Sequence, residues 1–142
     1  MADSIPQREV SLEQALELLQ RVRQEAAGQS LAVAAAVVDR GGHTVASARM
    51  DGSALGAMTL AVDKAYTAVL WQTPTGEFMA STQPGGADWA FNTTTGGRIV
   101  VYAGGLPLFE DGGLIGGLGV SGGTGEQDEA CAVAAVVAAG LG

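Results

Sequence analysis

"LPLFEDGGLIGGLGVSGGTGEQDEA", residues 106–130, carries the two signals that decide the fold. Asp111-Gly112 separates two apolar runs, and this dipeptide is a strong signal for a two-residue turn between antiparallel strands. Thr124 and Gln127 form a capping box, in which two side chains bind backbone N–H groups that have no partner at the start of a helix. The stretch therefore predicts a β-hairpin followed directly by a helix.

The glycine-rich centre of this stretch also matches two catalytic or binding motifs, which the rest of the chain does not support. "GLGVSG", residues 117–122, matches G-x-G-x-x-G, but a dinucleotide site needs a further strand and a later acidic residue, and only the predicted helix follows here. "GVSGG", residues 119–123, matches the G-x-S-x-G of hydrolases. That motif takes its histidine from later in the chain, whereas the only histidine, His43, comes earlier.

The segment is therefore interpreted as a helix cap. Acidic residues at positions 126, 128 and 129 complement the helix dipole and disfavour a highly charged anion. The backbone N–H groups of Ser121, Gly122 and Gly123 could still bind a single carboxylate or a neutral carbonyl group.

Three glycines in the second strand of the hairpin indicate a close neighbour. Gly116, Gly117 and Gly119 would weaken an ordinary strand, because glycine has no side chain to pack. We expect another backbone, a helix or a ligand to approach this part of the strand.

Hydrophobic periodicity and end signals predict the other elements. Ser11 and Gln14 form a second capping box, and the runs on either side of Arg40-Gly41-Gly42 have the pattern of a β-hairpin whose first strand is the more buried. The predicted helices are residues 12–27, 56–71 and 125 onward, and the predicted strands are residues 31–39, 44–50, 98–103, 106–110 and 114–121. This order predicts an α/β protein of the α+β type, with helices packed on a single five-stranded antiparallel sheet.

The composition describes one acidic domain. The 142 residues, of which 47% are hydrophobic, predict a single domain over residues 1–142 with a flexible N-terminus at residues 1–10. The net charge of −8 without a Lys/Arg cluster disfavours nucleic acid as a partner. The apolar runs are short and the first residues lack a signal-peptide pattern, so we expect a cytoplasmic protein without a membrane partner. The single cysteine, Cys131, excludes an intrachain disulfide and a metal site built on paired thiolates, and no metal site is predicted.

Four stretches of the sequence resemble the GlcG/HbpS family, in the same order and spacing. They are "AVVDRGGHTVASARMDG" (36–52), "LAVDKAYTAVLWQTPTGEF" (60–78), "TQPGG" (82–86) and "GGLPLFEDGGLIGGLGVSGGTGEQDEACA" (104–132). This family comprises small heme-binding or heme-degrading domains, including the C-terminal domain of some PduO-type corrinoid adenosyltransferases. The resemblance covers roughly residues 10–140. It implies a five-stranded antiparallel sheet with helices on its faces, symmetric oligomers, and heme binding in some members.

The resemblance makes heme a candidate cofactor, and several side chains could bind its iron. The candidate axial ligands are His43, Met50, Met58, Tyr66, Met79, Tyr102 and Cys131. The sequence has no C-x-x-C-H motif, so covalent attachment is excluded. Arg49 and Lys64 could bind the heme propionates or the carboxylate of a substrate.

We predict one ligand pocket, formed within a subunit or shared between subunits. The predicted ligand-binding residues are His43, Arg49, Lys64, Tyr66, Gln83, Pro84, Gly85, Ser121, Gly122 and Gly123. The function that this set favours is binding of a small ligand such as heme.

Two other functions stay open. In an enzyme acting on a small oxygenated or carboxylate metabolite, His43 would be the acid/base, because an imidazole is the side chain best suited to this role near neutral pH. Arg49 and Lys64 would then bind an anion, and the backbone N–H groups of residues 121–123 would stabilise an oxyanion. The chain would instead be a non-catalytic structural or accessory subunit if its glycine-rich strands only allow close packing between protomers.

An excess of apolar side chains predicts self-association. The helix at residues 56–71 is apolar nearly all round, and Trp71, Phe78, Trp89 and Phe91 lie in or beside an irregular segment. Burial of side chains of this size contributes about 1.5–3 kcal/mol each, and a soluble monomer rarely exposes a contiguous apolar patch. We therefore expect a symmetric homo-oligomer.

Overall fold

The helices and strands follow the predicted order, in a computed structural model that describes residues 2–142. They are α1 (Leu12–Gly28), β1 (Ala34–Val38), β2 (Thr44–Arg49), α2 (Ala57–Trp71), β3 (Gly105–Glu110), β4 (Gly113–Ser121) and α3 (Gly125–Ala139). The strands form one antiparallel sheet in the order β2-β1-β4-β3. Both hairpins and both capping boxes are present, so the predicted class of fold is confirmed. No helix within residues 2–142 has the length and hydrophobicity needed to cross a membrane.

Within the described residues the sheet has four strands and not the five predicted, because residues 98–103 do not pair with a neighbouring strand. Threonine hydroxyl groups bind the backbone of this segment instead. The Val100 N–H donates to Thr67 Oγ1 at 3.0 Å, and the Thr75 hydroxyl donates to the Tyr102 carbonyl at 2.8 Å. The Gly105 N–H, at the start of β3, donates to the same Thr75 oxygen at 2.9 Å. Side-chain hydrogen bonds thus replace the strand ladder.

The larger core lies between the sheet and the pair formed by α1 and α3. Its buried side chains come from both helices and from one face of three strands. They include Leu18, Leu19 and Val22 of α1, Ala35 and Val37 of β1, Leu106 and Leu108 of β3, Ile115, Leu118 and Val120 of β4, and Cys131, Ala132 and Val136 of α3. The first and last helices therefore cover the same face of the sheet.

α2 lies on the opposite face and packs closely on the glycine-rich part of the sheet. A Cβ atom at Gly119 would overlap the carbonyl oxygen of Ala61, and one at Gly117 would lie 2.5 Å from the carbonyl oxygen of Ala65. The close neighbour predicted from these glycines is therefore the backbone of a helix. Only glycine lets the two backbones approach this far, because any side chain would stand between them.

The end of the predicted flexible N-terminus makes defined contacts. Val10 is buried, and its N–H donates to the Ile115 carbonyl at 2.9 Å. Arg8 forms ion pairs with Glu110 and Asp111 at the tip of the β3–β4 hairpin. Residues 2–9 are exposed, and residue 1 lies outside the described residues. The chain before α1 therefore contacts the β3–β4 hairpin.

We expect Gly119→Ala to destabilise the fold, since its methyl group would overlap the backbone of α2 at Ala61. Overpacking of a well-packed interior costs about 1–3 kcal/mol, and a clash with backbone atoms places this change near about 3 kcal/mol. Gly113→Ala in the same strand is the control, because the nearest atom to its Cβ would lie at an ordinary 3.6 Å. Urea denaturation compares the two variants. Equal free energies of unfolding would show that α2 can move away from the sheet at little cost.

Candidate functional site

Lys64 on α2 forms a buried ion pair with Asp128 on α3, beside the end of β4. The Lys64 Nζ atom lies 2.9 Å from Asp128 Oδ2 and donates a second hydrogen bond of 2.9 Å to the Val120 carbonyl. The two side chains are only 1% and 3% exposed. The other carboxylate oxygen, Asp128 Oδ1, accepts the Gly123 N–H at 2.8 Å. A lysine, a carboxylate and a glycine turn are thus joined in one hydrogen-bonded unit.

Both charged side chains lie on buried helical stripes, and this is the signal in the sequence that points to the pair. Lys64 falls between the buried Ala61 and Ala68 of α2, and Asp128 precedes the buried Cys131 and Ala132 by three and four residues. From the sequence, Asp128 was expected only to complement the dipole of α3. Nothing in the sequence shows that the two stripes meet, so the pairing was missed.

The electrostatics of the pair are dominated by burial. Removal of the ammonium group from water lowers the pKa of Lys64 below its ordinary value, and the attraction of Asp128 only partly offsets this effect. Each charge is stabilised by the other, so the loss of one partner would leave an uncompensated buried charge. The pair therefore holds α2 against α3.

A surface groove, here called the Tyr102 groove, lies next to this ion pair. Its volume is about 750 Å³, and its lining consists of Gly76, Met79, Tyr102, Ala103, Thr124, Gly125 and Glu126. The Tyr102 ring also contacts the ion pair, because the Lys64 ammonium is 5.4 Å from the ring centroid. Met79 and Tyr102 are 42% and 39% exposed. Two of the predicted iron ligands therefore line the same groove.

Three other predicted iron ligands are engaged in the interior. Cys131 is fully buried, and burial raises the pKa of its thiol. Met58 packs against the small core between α2 and β1. The Met50 sulfur accepts the Val33 N–H at 3.4 Å.

His43 lies at the turn between β1 and β2, and its side chain is 81% exposed. Its Nδ1 atom is 3.1 Å from Asp39 Oδ1, which also accepts the N–H groups of Gly41 and His43 at 2.9 Å each. Burial raises the pKa of Asp39, but these hydrogen bonds outweigh it and bring the pKa below the ordinary value. The imidazole is therefore held by a carboxylate at the surface. Within the described residues, no group of three or more His, Cys, Asp and Glu side chains could hold a metal ion.

Tyr66 lies beside the same turn. A Cβ atom at Gly42 would lie 2.6 Å from the Tyr66 ring, and the Arg98 guanidinium stacks on this ring at 3.7 Å from its centroid. His43 and Tyr66 are thus brought to the same end of the sheet. Lys64, two residues earlier on α2, is turned toward Asp128 instead.

The remaining predicted ligand residues are placed elsewhere. Arg49, at the end of β2, lines a cleft between this strand and α1. Gln83 donates to the Met79 carbonyl at 3.0 Å, so it supports a residue of the Tyr102 groove. Pro84 and Gly85 are exposed. Within one subunit, these residues lie in environments separate from that of His43.

One of the three backbone N–H groups predicted to bind a carboxylate does so within the chain. Gly123 donates to Asp128, while Ser121 belongs to β4 and faces Ala34 of β1. Gly122 has a φ of +132°, which favours glycine at this turn. The carboxylate at the turn is therefore supplied by α3.

The sheet, the helix packed on glycines and the groove beside α3 define a small α+β domain of the HbpS type. The chain belongs to the HbpS-like family, because residues 10–137 match the family described as "Haem degrading protein HbpS-like". This match confirms the resemblance found in the sequence.

Similar proteins include both curated relatives and solved structures. An uncharacterized 15.0 kDa protein from the dhaT-dhaS intergenic region of Citrobacter freundii is 37% identical over 127 residues, 89% of each chain. Protein ORFY of Klebsiella pneumoniae is 33% identical with a TM-score of 0.96, over 99% of this chain and 97% of ORFY. The chain in the crystal structure of a PduOC:heme complex is 35% identical to this chain, with a TM-score of 0.90. The match covers 94% of this chain and 97% of the PduOC chain.

We expect Asp128→Ala to destabilise the protein by about 3–5 kcal/mol, because it leaves the Lys64 charge buried without a partner. Asp128→Asn should cost less, since an amide oxygen can still accept hydrogen bonds. Glu126→Ala, an exposed acid in the same helical turn, is the control and should cost below about 1 kcal/mol. Thermal and urea unfolding measure these differences. A small loss in Asp128→Ala would mean that Lys64 reaches water when its partner is removed.

Proposed function

We propose that this protein binds heme in the Tyr102 groove. The observation that carries the proposal is that two side chains able to coordinate iron, the Met79 thioether and the Tyr102 phenol, line one groove of about 750 Å³. Membership of the HbpS-like family and the likeness to a PduOC:heme complex support the same cofactor.

The size and the lining of the groove suit a mostly apolar macrocycle. Its volume falls within the range of about 300–1,000 Å³ that is usual for ligand pockets. Gly76 and Gly125 both face Ala103, so this part of the wall has no large side chain. Glu126 stands at the α3 side of the groove and would repel the propionates. The propionates would therefore point away from α3, toward solvent.

The residues around the groove would hold the cofactor and its ligands in place. The Gln83 Nε2 atom lies 3.0 Å from the backbone carbonyl of Met79 and 3.2 Å from the Met79 sulfur. These two contacts restrain the thioether. The Lys64–Asp128 pair ties the start of α3 to α2 and backs the Tyr102 ring. Bound heme would supply iron-centred redox chemistry. The role of the chain is to bind and orient it.

His43 is a weaker candidate for the iron ligand, and no observation favours its use as a catalytic acid/base. Its side chain is 81% exposed, so a heme at this position would need a second subunit to cover it. Catalysis would require His43, Arg49 and Lys64 around one substrate. Within one subunit, Lys64 is buried against Asp128 and Arg49 lines the cleft beside α1.

Titration with hemin tests this proposal. We expect a Soret band in the wild type, a changed band in Tyr102→Phe and Met79→Ala, and an affinity lower by roughly tenfold or more in the double variant. His43→Ala, at an exposed site away from the groove, is the control and should keep the wild-type spectrum and affinity. Circular dichroism shows whether each variant is folded. A band lost only in His43→Ala would move the site to the β1–β2 turn, and a band unchanged in all variants would refute the Tyr102 groove.

We also propose that the protein forms a homo-oligomer through an aromatic surface, defined by Trp71, Phe78, Trp89 and Phe91. The Phe91 ring is 5.3 Å from both the Trp71 and the Phe78 rings, so three of the four side chains form one cluster. Trp71 and Trp89 are 49% and 61% exposed. Aromatic side chains of this size are enriched at the centre of protein interfaces.

Light scattering of the wild type should give a multiple of the 14.2 kDa chain mass. Trp71→Glu should lower this mass, because it places a charge in the centre of the interface. Val137→Glu on α3, at a side chain that is 72% exposed, is the matched control and should leave the mass unchanged. A monomeric wild type would refute self-association, and the opposite result for the two variants would place the interface on α3.

A further inference from the structure

The distribution of the basic side chains singles out one cleft. The chain has seven Lys and Arg residues, and four of them pair with carboxylates: Arg8, Arg21, Lys64 and Arg98. Arg40 donates to the Leu114 carbonyl at 2.8 Å. Among residues 2–142, the other two basic side chains, Arg23 and Arg49, form no ion pair.

Arg23 and Arg49 line the same cleft, from α1 and β2 respectively. The inner part of the cleft has a volume of about 60 Å³, and its apolar lining includes Leu19, Val22, Val33 and Met50. The outer part has a volume of about 460 Å³ and is also lined by both arginines. The cleft therefore has a largely apolar inner lining, and both arginines line its inner and outer parts.

Charge and size together select the class of ligand. Guanidinium groups bind carboxylates with paired, charge-assisted hydrogen bonds. Arg23 Nε donates to the neutral Gln20 side chain at 3.1 Å, but neither arginine forms an ion pair within residues 2–142, so in a chain of net charge −8 they make a local positive site. Compared with an apolar cavity of about 150 Å³ that binds the six carbons of benzene, the inner part, at about 60 Å³, fits only the last two or three carbons, roughly, of a short alkyl tail. Asp51 lines the outer part and disfavours a second negative charge.

We propose that this cleft binds a short-chain aliphatic monocarboxylate. The tail would enter the apolar part beside Val22 and Met50, and the carboxylate would lie between Arg23 and Arg49. None of these residues lines the Tyr102 groove, so the site is independent of the proposed heme site.

Titration with sodium pentanoate, followed by calorimetry and by NMR chemical shifts, tests the proposal. We expect saturable binding, with acetate and 1-pentanol binding weaker by roughly tenfold, because each lacks either the tail or the charge. Arg23→Gln and Arg49→Gln should each weaken pentanoate binding by roughly fivefold. Arg21→Gln is the matched control, since this arginine lies on the same helix but is paired with Glu17.

A second variant tests the apolar part without a change in charge. Ala48 is an exposed residue of β2 that lines the inner cleft, so Ala48→Met should fill the cleft and weaken pentanoate binding while the protein stays folded. Absence of saturable pentanoate binding to the wild type would overturn the proposal. Pentanoate binding that is unchanged in both arginine variants would also overturn the proposal. If the arginine changes lower the mass in light scattering while pentanoate does not bind, the guanidinium groups serve a second copy of the chain and the proposal is wrong.

Discussion

The contact between the backbone of α2 and the glycine positions of the sheet is the constraint on which the rest of the structure depends. Gly119 meets the Ala61 carbonyl, and Gly105 on the neighbouring strand meets the Lys64 carbonyl. At these points no side chain separates helix and sheet, so the position of α2 is set by backbone contact. Protein interiors are close-packed, so a change in side-chain volume of even one methylene group disturbs the packing. The placement of every side chain on α2 follows from this contact.

The buried pair of Lys64 and Asp128 is the first consequence. Because α2 lies so close to β4, the lysine side chain can reach past Val120 to a carboxylate that belongs to the helices of the other face. A buried ion pair is weak evidence for stability, since the desolvation of two charges can exceed their attraction. Its clearer role here is geometric. It joins α2, the end of β4 and the start of α3, and these elements position the Tyr102 groove.

The surface of this acidic protein differs from place to place in whether its basic side chains are paired with carboxylates. Most basic side chains are neutralised by neighbouring carboxylates, as in the stacked Arg98 that binds Asp63. The Tyr102 groove has a carboxylate at its edge, so the heme proposed for it would be held by iron coordination and apolar contact and not by charge. The cleft of Arg23 and Arg49 has the opposite character, because charge would be the main attraction for its ligand. The two proposed sites would differ in chemistry on the same fold, as expected if function depends on the site and not on the fold.

The sequence by itself determined the elements whose signals are local. The capping boxes at Ser11 and Thr124 and the Asp111-Gly112 turn each act within a few residues, so the helices and hairpins follow from them. Even the glycines of β4 indicated a close neighbour, although not which one. Only the tertiary structure decided what depends on distant partners. Residues 98–103 have the pattern of a strand, but Thr67 and Thr75 bind their backbone and no strand lies beside them. In the same way, Lys64 and Arg49 were predicted to line one pocket, formed within a subunit or shared between subunits; within one chain they lie apart, because the packing of α2 turns Lys64 toward Asp128. The physical reason is that the pattern within a segment can place a polar side chain on its buried face, but it cannot show which distant segment supplies the partner.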